Sequence, residues 1–186
     1  EKNIFTPAPA ENFWLSVNRL TPEKRIEMQI EAFNNLKTSY LLIVAGYDNV
    51  HCDYFYGLKL KAKGNIIFLN NLPKEELQRL YSLCTGFITT SLDEDFGMSA
   101  VEAMASGKPV IAPNEGGYKE TIINGLTGVL LDDITDKKIE ETVRKINDKL
   151  QIDPYLYNNQ CKERADEFST EKFIQKIKNQ VSKINL

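Results

Sequence analysis

Short apolar segments rich in β-branched and aromatic residues recur along the chain and alternate with segments whose apolar residues follow helical spacing. This alternation is typical of βα units in a parallel sheet. It predicts six strands, at residues 13–17, 40–45, 66–69, 87–90, 109–112 and 127–131. We therefore expect an α/β fold with a Rossmann-like parallel sheet of about six strands and helices on both faces.

Proline and glycine residues indicate where the helices between these strands begin and end. Thr21 and Pro22 provide an N-cap and a first-turn proline for a helix that runs to about residue 36, while Gly107 ends a helix that Gly97 introduces. Other helices are predicted at 52–62, 73–85, 116–124, 137–150, 155–168 and 170–184. Since the last three follow the final strand, extra C-terminal helices should extend the domain beyond the sheet.

The length of 186 residues fits one layered domain, and 42% hydrophobic and 26% charged residues are typical of a globular one. Residues 1–10, with Pro7 and Pro9, are predicted to be a linker, and residues 11–186 the domain. The net charge of −3 argues against nucleic acid as the main partner. Three widely separated cysteines and the lack of a long apolar run favour a cytoplasmic protein whose membrane contact is at most peripheral.

The residues that directly follow the predicted strands are polar and rich in glycine. In an open α/β sheet, ligands bind beyond the carboxyl ends of the strands. We therefore expect these residues to converge on one crevice: Asn18, Arg19 and Lys24, then Gly46 and Tyr47, Asn70 and Asn71, residues 91–97, and residues 114–117.

Two cations and a helix start predict a site for a diphosphate. Arg19 and Lys24 lie at the first strand-to-helix turn, and the backbone amides of Phe96, Gly97 and Met98 lie where a helix begins. An arginine fork and a lysine charge together neutralise a diphosphate without a metal ion. The alternative is that each cation is solvated or pairs with a surface carboxylate.

Glu94 and Glu102 lie eight residues apart across the junction of the fourth strand and the next helix. A carboxylate can accept two hydrogen bonds from a vicinal diol. Glu102, in the second turn of the helix, would suit a ribose, and Glu94 would suit the hydroxyls of the group that the diphosphate carries. The alternative is that both are surface carboxylates, with Glu94 favoured by the helix dipole.

Other reaction classes lose support because their motifs are missing. The chain contains neither the GxGxxG nor the GxxxxGK[ST] sequence, which argues against a dinucleotide-dependent oxidoreductase and a P-loop hydrolase. His51 is the only histidine, and it lies in the predicted loop after Gly46, where a solvated or structural role is favoured over catalysis. No Ser-His-Asp set is therefore predicted.

The segment EDFGMSAVEAMASGKPVIA at residues 94–112, with the EGG of residues 115–117 and Glu120, resembles the EX7E signature region of retaining glycosyltransferases of family 4. The segment FWLSVNRL at residues 13–20, followed by PEK, is similar to the family's FLSVGRL and EK motifs. Residues 67–69 and 75–81 resemble its IFLG and EELxxLY motifs. The resemblance covers residues 12–129.

The resemblance implies a GT-B fold of two Rossmann-like domains, of which this chain is the C-terminal, nucleotide-sugar-binding one. Carried over to this sequence, Arg19 and Lys24 would bind the diphosphate, Glu102 the ribose and Glu94 the transferred sugar. The remaining donor-binding residues would be Phe96, Gly97 and Met98 near the phosphates, Asn70, Asn71 and Leu72 near the nucleobase, and Gly116 and Gly117.

The resemblance also implies transfer with retention at the anomeric carbon and without a metal or other cofactor. Asp95 stands where the family commonly has glycine, and the resulting DEDFG form resembles a mannosyltransferase subgroup that uses GDP-mannose. Asn18 replaces the frequent glycine of the GRL motif. A glycan or lipid-linked acceptor and a separate acceptor domain are expected partners, so this chain alone should be nearly inactive. The alternative is a nucleotide-sugar-binding module without transferase activity.

Overall fold

The computed structural model describes residues 11–36, 41–46 and 53–184. The predicted linker at residues 1–10, and the predictions for Tyr47, His51 and Cys52, lie outside the described residues. Among the described helices, none is long and apolar enough to cross a membrane.

The described part of the chain contains a parallel sheet of six strands in the order β3-β2-β1-β4-β5-β6. The strands are β1 (Phe13–Val17), β2 (Leu41–Gly46), β3 (Ile66–Asn70), β4 (Gly86–Ile88), β5 (Val110–Pro113) and β6 (Gly128–Leu131). The predicted parallel sheet of about six strands is therefore confirmed. The order is that of a doubly wound α/β fold, with two halves that diverge from β1 and β4.

The structure describes eight α-helices, seven of which form two groups by their contacts. The eight are α1 (Ile26–Asn35), α2 (Asp53–Lys61), α3 (Lys74–Leu83), α4 (Met98–Ala105), α5 (Tyr118–Thr121), α6 (Asp136–Ile152), α7 (Asn158–Asp166) and α8 (Thr170–Ile184). Helix α1 packs against α2 and α6, whereas α4 packs against α3, α5 and α7. Right-handed crossovers that wind in opposite directions from the middle of the sheet place the two groups on opposite faces.

The core is densest around the two central strands. Trp14 of β1 is fully buried, and its indole nitrogen donates to Asn147 Oδ1 of α6 at 3.1 Å. A side chain on Gly86 of β4 would come within 2.8 Å of the Trp14 ring. The small residue at the start of β4 therefore lets the two central strands pair beside the largest side chain of the core.

The helix predicted from Thr21 to residue 36 is wrong at its start. A 3-10 turn, Pro22–Lys24, comes first, and Arg25 interrupts it with a φ of 49° before α1 begins at Ile26. The Thr21 hydroxyl donates to Glu23 Oε1 at 2.6 Å, and its side chain accepts no capping bond from the turn. Apolar periodicity does not detect such a break, because Ile26, Ile30 and Phe33, which follow it in the chain, still have helical spacing.

Two other helices are shorter than their patterns predict. Helix α5 ends at Thr121, because the backbone at Ile122 is extended and Asn124 forms a bridge with Gly128. Helix α7 begins at Asn158 instead of residue 155.

Candidate functional site

The chain winds away from β1 in one direction and away from β4 in the other, which opens a crevice beyond the carboxyl ends of these two strands. The turn after β1 and the loop after β4 line its two sides. They are tied together by a hydrogen bond from the Leu92 amide to the Glu23 carbonyl at 2.8 Å. The Thr90 hydroxyl also donates to the Lys24 carbonyl at 2.7 Å.

Lys24 and Glu94 meet across this crevice. The Lys24 ammonium donates to Glu94 Oε2 at 2.8 Å and to Ser91 Oγ at 2.9 Å. The Ser91 hydroxyl in turn donates to Glu94 Oε2 at 3.0 Å. Two residues that are 70 positions apart therefore form one compact polar cluster at the predicted site.

Opposing effects act on the protonation of Glu94. Partial burial alone would raise the pKa of its carboxyl, but the hydrogen bonds from Lys24 and Ser91 outweigh burial and hold the pKa below its usual value. The charges of Lys24 and Arg19 lower it further. Arg19 is exposed beyond β1, near enough for its charge to act on Glu94. The structure thus brings Arg19, Lys24 and Glu94 to one place, as the sequence predicts.

Arg25 is a site residue that the sequence reasoning missed. Its Nε donates to the Thr90 carbonyl at 2.7 Å, and its Nη2 donates to Glu115 Oε1 at 2.7 Å. The guanidinium therefore joins the loop after β4 to the loop after β5. No motif indicates this role, because only the left-handed backbone of Arg25 turns its side chain away from α1 toward the crevice.

Gly116 and Gly117 lie directly against the loop that carries Glu94. A side chain on Gly116 would meet the Glu94 carbonyl oxygen at 2.5 Å, and one on Gly117 would overlap the Asp95 carbonyl oxygen. The Gly117 amide donates to the Glu94 carbonyl at 2.7 Å. The two glycines thus allow the backbone contact that supports the Glu94 loop.

Helix α4 begins at the same crevice because Gly97 adopts a φ of 81°. A side chain there would come within 2.6 Å of the Tyr118 ring, which is buried and whose hydroxyl bonds to Thr89 Oγ1 at 2.8 Å. The ring of Phe96 packs edge-to-face on Phe168 at 5.4 Å. The backbone amides of Phe96, Gly97 and Met98 therefore lie at the positively polarised, N-terminal end of α4.

Glu102 lies in the second turn of α4, as predicted, and contacts a different partner from Glu94. The Tyr81 hydroxyl of α3 donates to Glu102 Oε2 at 2.8 Å. Burial raises the pKa of the Glu102 carboxyl above its usual value, against the opposing effects of the Tyr81 hydrogen bond and the Lys74 charge. Glu102 is thus held by a phenol from a neighbouring helix, whereas Glu94 is held by an ammonium.

Asn70 is the last residue of β3, and Asn71 and Leu72 follow it, at the same edge of the sheet as the crevice but farther along it. Strand β3 is two strands from β1, which corresponds to about 10 Å. Asn71 adopts a φ of 55°, and α3 with Lys74 and Tyr81 begins soon after it. These residues therefore lie apart from the Lys24 cluster. Helix α3, which follows them, carries Tyr81 and so connects them to Glu102.

The strand order and the crevice at its switch point define a doubly wound, Rossmann-like α/β domain. The particular family follows from comparison with known families. The chain belongs to the family described as glycosyl transferases group 1, whose model matches residues 1–168. The resemblance drawn from the EX7E region is thereby confirmed.

The chain is 30% identical, over 208 residues, to the alpha-1,3/1,6-mannosyltransferase ALG2 of Dictyostelium discoideum, covering 99% of this chain and 49% of that protein. It is also 30% identical, over 200 residues, to a probable sucrose-phosphate synthase of Thermosipho melanesiensis, covering 99% and 46%. The fold matches the Anabaena HepE protein solved with UDP and glucose, with a TM-score of 0.85, 21% identity, and coverage of 98% and 55%. The chain spans about half the length of the curated relatives it matches.

Proposed function

We propose that this chain is the donor-binding half of a retaining glycosyltransferase and that a nucleoside diphosphate sugar binds in the crevice. Lys24 and Arg19 bind the diphosphate, Glu102 accepts hydrogen bonds from the ribose, and Glu94 binds the transferred sugar. The amides of Phe96, Gly97 and Met98 assist at the phosphates, and Asn70, Asn71, Leu72, Gly116 and Gly117 complete the donor site. The observation that supports this assignment best is the contact of Lys24 with Glu94 at 2.8 Å.

The chemical role of the cations follows from the charge that develops during transfer. Cleavage of the bond between the anomeric carbon and the diphosphate leaves its electron pair on the departing phosphate oxygen. Fixed positive charge at that oxygen lowers the barrier, because the cations are already in place before the bond breaks. Lys24 then lies between two anions, the diphosphate and Glu94. The leaving group is neutralised without a metal ion.

The donor that we propose is GDP-mannose. The DEDFG form of residues 93–97 and the mannosyltransferase among the relatives support mannose. The UDP and glucose in the structure of the HepE protein support a uridine nucleotide as the rival donor. The acceptor is proposed to be a glycan or a lipid-linked acceptor, bound by a separate acceptor domain. Without that domain, the chain should catalyse little or no transfer.

Titration calorimetry of the chain with GDP, UDP, GDP-mannose and UDP-glucose tests the donor site. We expect a guanosine nucleotide to bind more tightly than a uridine nucleotide, and the reverse order would assign the rival donor. Glu102→Gln should weaken binding about tenfold, because a charge-assisted hydrogen bond contributes about 1.5 kcal/mol or more. Glu141→Gln, on the exposed face of α6, is the matched control and should bind normally.

Two results would count against the proposal. If no guanine or uracil nucleotide binds at millimolar concentration, the assignment of the crevice as a nucleotide site is wrong. If the full-length protein binds the donor but transfers no sugar to any glycan or lipid-linked acceptor, the chain is a nucleotide-sugar-binding module, as the alternative interpretation holds.

A further inference from the structure

Tyr81 combines almost complete burial with a hydroxyl that reaches the candidate site. Its side chain is 1% exposed and lies on α3, the helix that precedes β4. Its ring stacks on Phe87 of β4, with centroids 5.9 Å apart and planes inclined by 30°. A ring packed in this way has little freedom to turn or shift, so the position of its hydroxyl is set by the core.

The Tyr81 hydroxyl contacts one oxygen of the Glu102 carboxylate. It donates to Oε2 at 2.8 Å, which is an ordinary length for a hydrogen bond from a hydroxyl to a carboxylate. A carboxylate offers about four lone-pair sites on two oxygens. One bond to Oε2 therefore fixes the orientation of the group and leaves Oε1 to accept hydrogen bonds from a ligand.

We propose that Tyr81 is a positioning residue for ribose recognition. It holds Glu102 in the orientation in which the carboxylate accepts both hydroxyls of a ribose diol. The inference rests on the proposed function, because it deepens the role assigned there to Glu102. Without the phenolic hydroxyl, the Glu102 side chain samples other rotamers. Fixing it in one rotamer when the nucleotide binds then reduces the binding free energy.

The protonation of Glu102 supports the same role. Burial raises the pKa of this carboxyl, and the groups described as facing it are Tyr81 and Lys74, both on α3. The hydrogen bond from Tyr81 favours the charged form. The ionised carboxylate is the form that accepts two hydrogen bonds from a diol, so Tyr81 favours both the right orientation and the right charge.

The test compares ribose and dideoxyribose nucleotides in the Tyr81→Phe variant. This substitution keeps the ring and its packing and removes only the hydroxyl. Calorimetry with GDP and UDP, and with their 2′,3′-dideoxy analogues, measures how strongly each protein prefers the ribose. The wild-type chain should prefer the ribose nucleotide, and Tyr81→Phe should lose about five- to tenfold of that preference, with unchanged affinity for the dideoxy nucleotide.

Two further variants separate positioning from general destabilisation. Tyr157→Phe also removes a hydroxyl from a buried tyrosine, at a position outside the candidate site, and it should leave the ribose preference unchanged. In a Glu102→Gln background, Tyr81→Phe should add little to the loss of preference, because the group that it orients has already been altered. Thermal unfolding of each variant checks that the fold is intact.

The outcomes distinguish this inference from the proposed function. If the wild-type chain prefers ribose and Tyr81→Phe prefers it equally, the positioning role is overturned and the nucleotide site stands. If the wild-type chain binds ribose and dideoxyribose nucleotides equally, Glu102 does not read the ribose and the positioning role fails with it. If the wild-type chain binds no nucleotide, both are overturned.

Discussion

Glu94 and Glu102 are two carboxylates of one motif, yet they lie in opposite electrostatic environments. Glu94 is in a loop at the switch point, where Lys24 from the other half of the sheet reaches it and its pKa is lowered. Glu102 is on α4, next to α3, where burial has the largest effect on its carboxyl and raises the pKa. The difference shows that the surroundings of each residue, and not the residue type, determine the direction in which its pKa shifts.

The two environments also differ in how they are built. The Glu94 region depends on contacts between distant turns and loops, including Lys24, Arg25 and the two glycines beyond β5. The Glu102 region depends on the packing of neighbouring helices, with Tyr81 held against Phe87. Changes that disturb the loops should therefore affect the first carboxylate and leave the second in place.

Lys24→Met should have the largest effect, because it removes the ammonium group that contacts Glu94 directly. In the full-length enzyme we expect kcat to fall about 10²- to 10³-fold, the range found when one preorganised group that stabilises developing charge is lost. Stability should fall by only about 1 kcal/mol, since the ion pair is partly exposed. Steady-state kinetics and urea unfolding measure the two losses.

The matched control for Lys24→Met is Lys145→Met, at an exposed position of α6 far from the site. It should retain full turnover. A Lys24→Met enzyme that loses stability and activity in the same proportion would assign Lys24 a purely structural role and weaken the contrast between the two carboxylates.

Gly117→Ala should disturb the support of the Glu94 loop without touching the Glu102 region. The added methyl group would overlap the Asp95 carbonyl oxygen and crowd Phe96 Cα at 2.6 Å. We expect the free energy of unfolding to fall by about 2–4 kcal/mol, because backbone cannot give way as a flexible side chain does. Urea unfolding measures this loss.

Gly57→Ala provides the comparison for Gly117→Ala. Gly57 lies within α2, and a side chain there would have no atom within 4 Å. Alanine should stabilise this helix by up to about 1 kcal/mol. A Gly117→Ala protein as stable as the wild type would mean that the Glu94 loop moves freely and is not held by the turn beyond β5.

Two substitutions of Arg25 separate the cost of backbone strain from the contribution of side-chain hydrogen bonds to stability in the Glu94 region. Arg25→Ala keeps a non-glycine residue at a φ of 49° and loses the bonds to Thr90 and Glu115, so we expect a loss of about 1.5–2 kcal/mol. Arg25→Gly loses the same bonds but relieves the left-handed backbone, and should be about 1 kcal/mol more stable than Arg25→Ala. Equal stabilities of the two variants would show that the backbone at this position is unstrained.

Arg25 also marks the limit of prediction from the sequence. The parallel sheet and the grouping of Lys24 with Glu94 are predictable, because apolar periodicity finds the strands and ligand sites lie beyond their carboxyl ends. The 3-10 turn at Pro22–Lys24 and the left-handed Arg25 are not, because they depend on long-range bonds to the loop after β4. In the sequence, Tyr81 is only the last residue of the segment that resembles the EELxxLY motif, and nothing in its spacing reveals that its hydroxyl contacts Glu102.

The two carboxylates should also give opposite dependences of stability on pH. The lowered pKa of Glu94 means that its charge stabilises the fold above the pKa of the unfolded chain, and this stabilisation is lost as the pH falls through the folded pKa. The raised pKa of Glu102 means that its charge opposes folding at neutral pH, and this cost is relieved as the pH falls through its folded pKa.

Glu94→Gln and Glu102→Gln therefore provide the finest test of the comparison, with the smallest expected effects. At pH 7, Glu94→Gln should be about 0.5–1 kcal/mol less stable than the wild type, as expected for a partly exposed ion pair, and Glu102→Gln should be slightly more stable. As the pH is lowered, the Glu102→Gln difference should shrink first, above the usual carboxyl pKa of 4.5, and the Glu94→Gln difference should shrink only below pH 4.5, measured by urea unfolding without nucleotide. If both variants were less stable than the wild type at pH 7, burial would not oppose the charge of Glu102. That result would contradict the opposite environments of the two carboxylates.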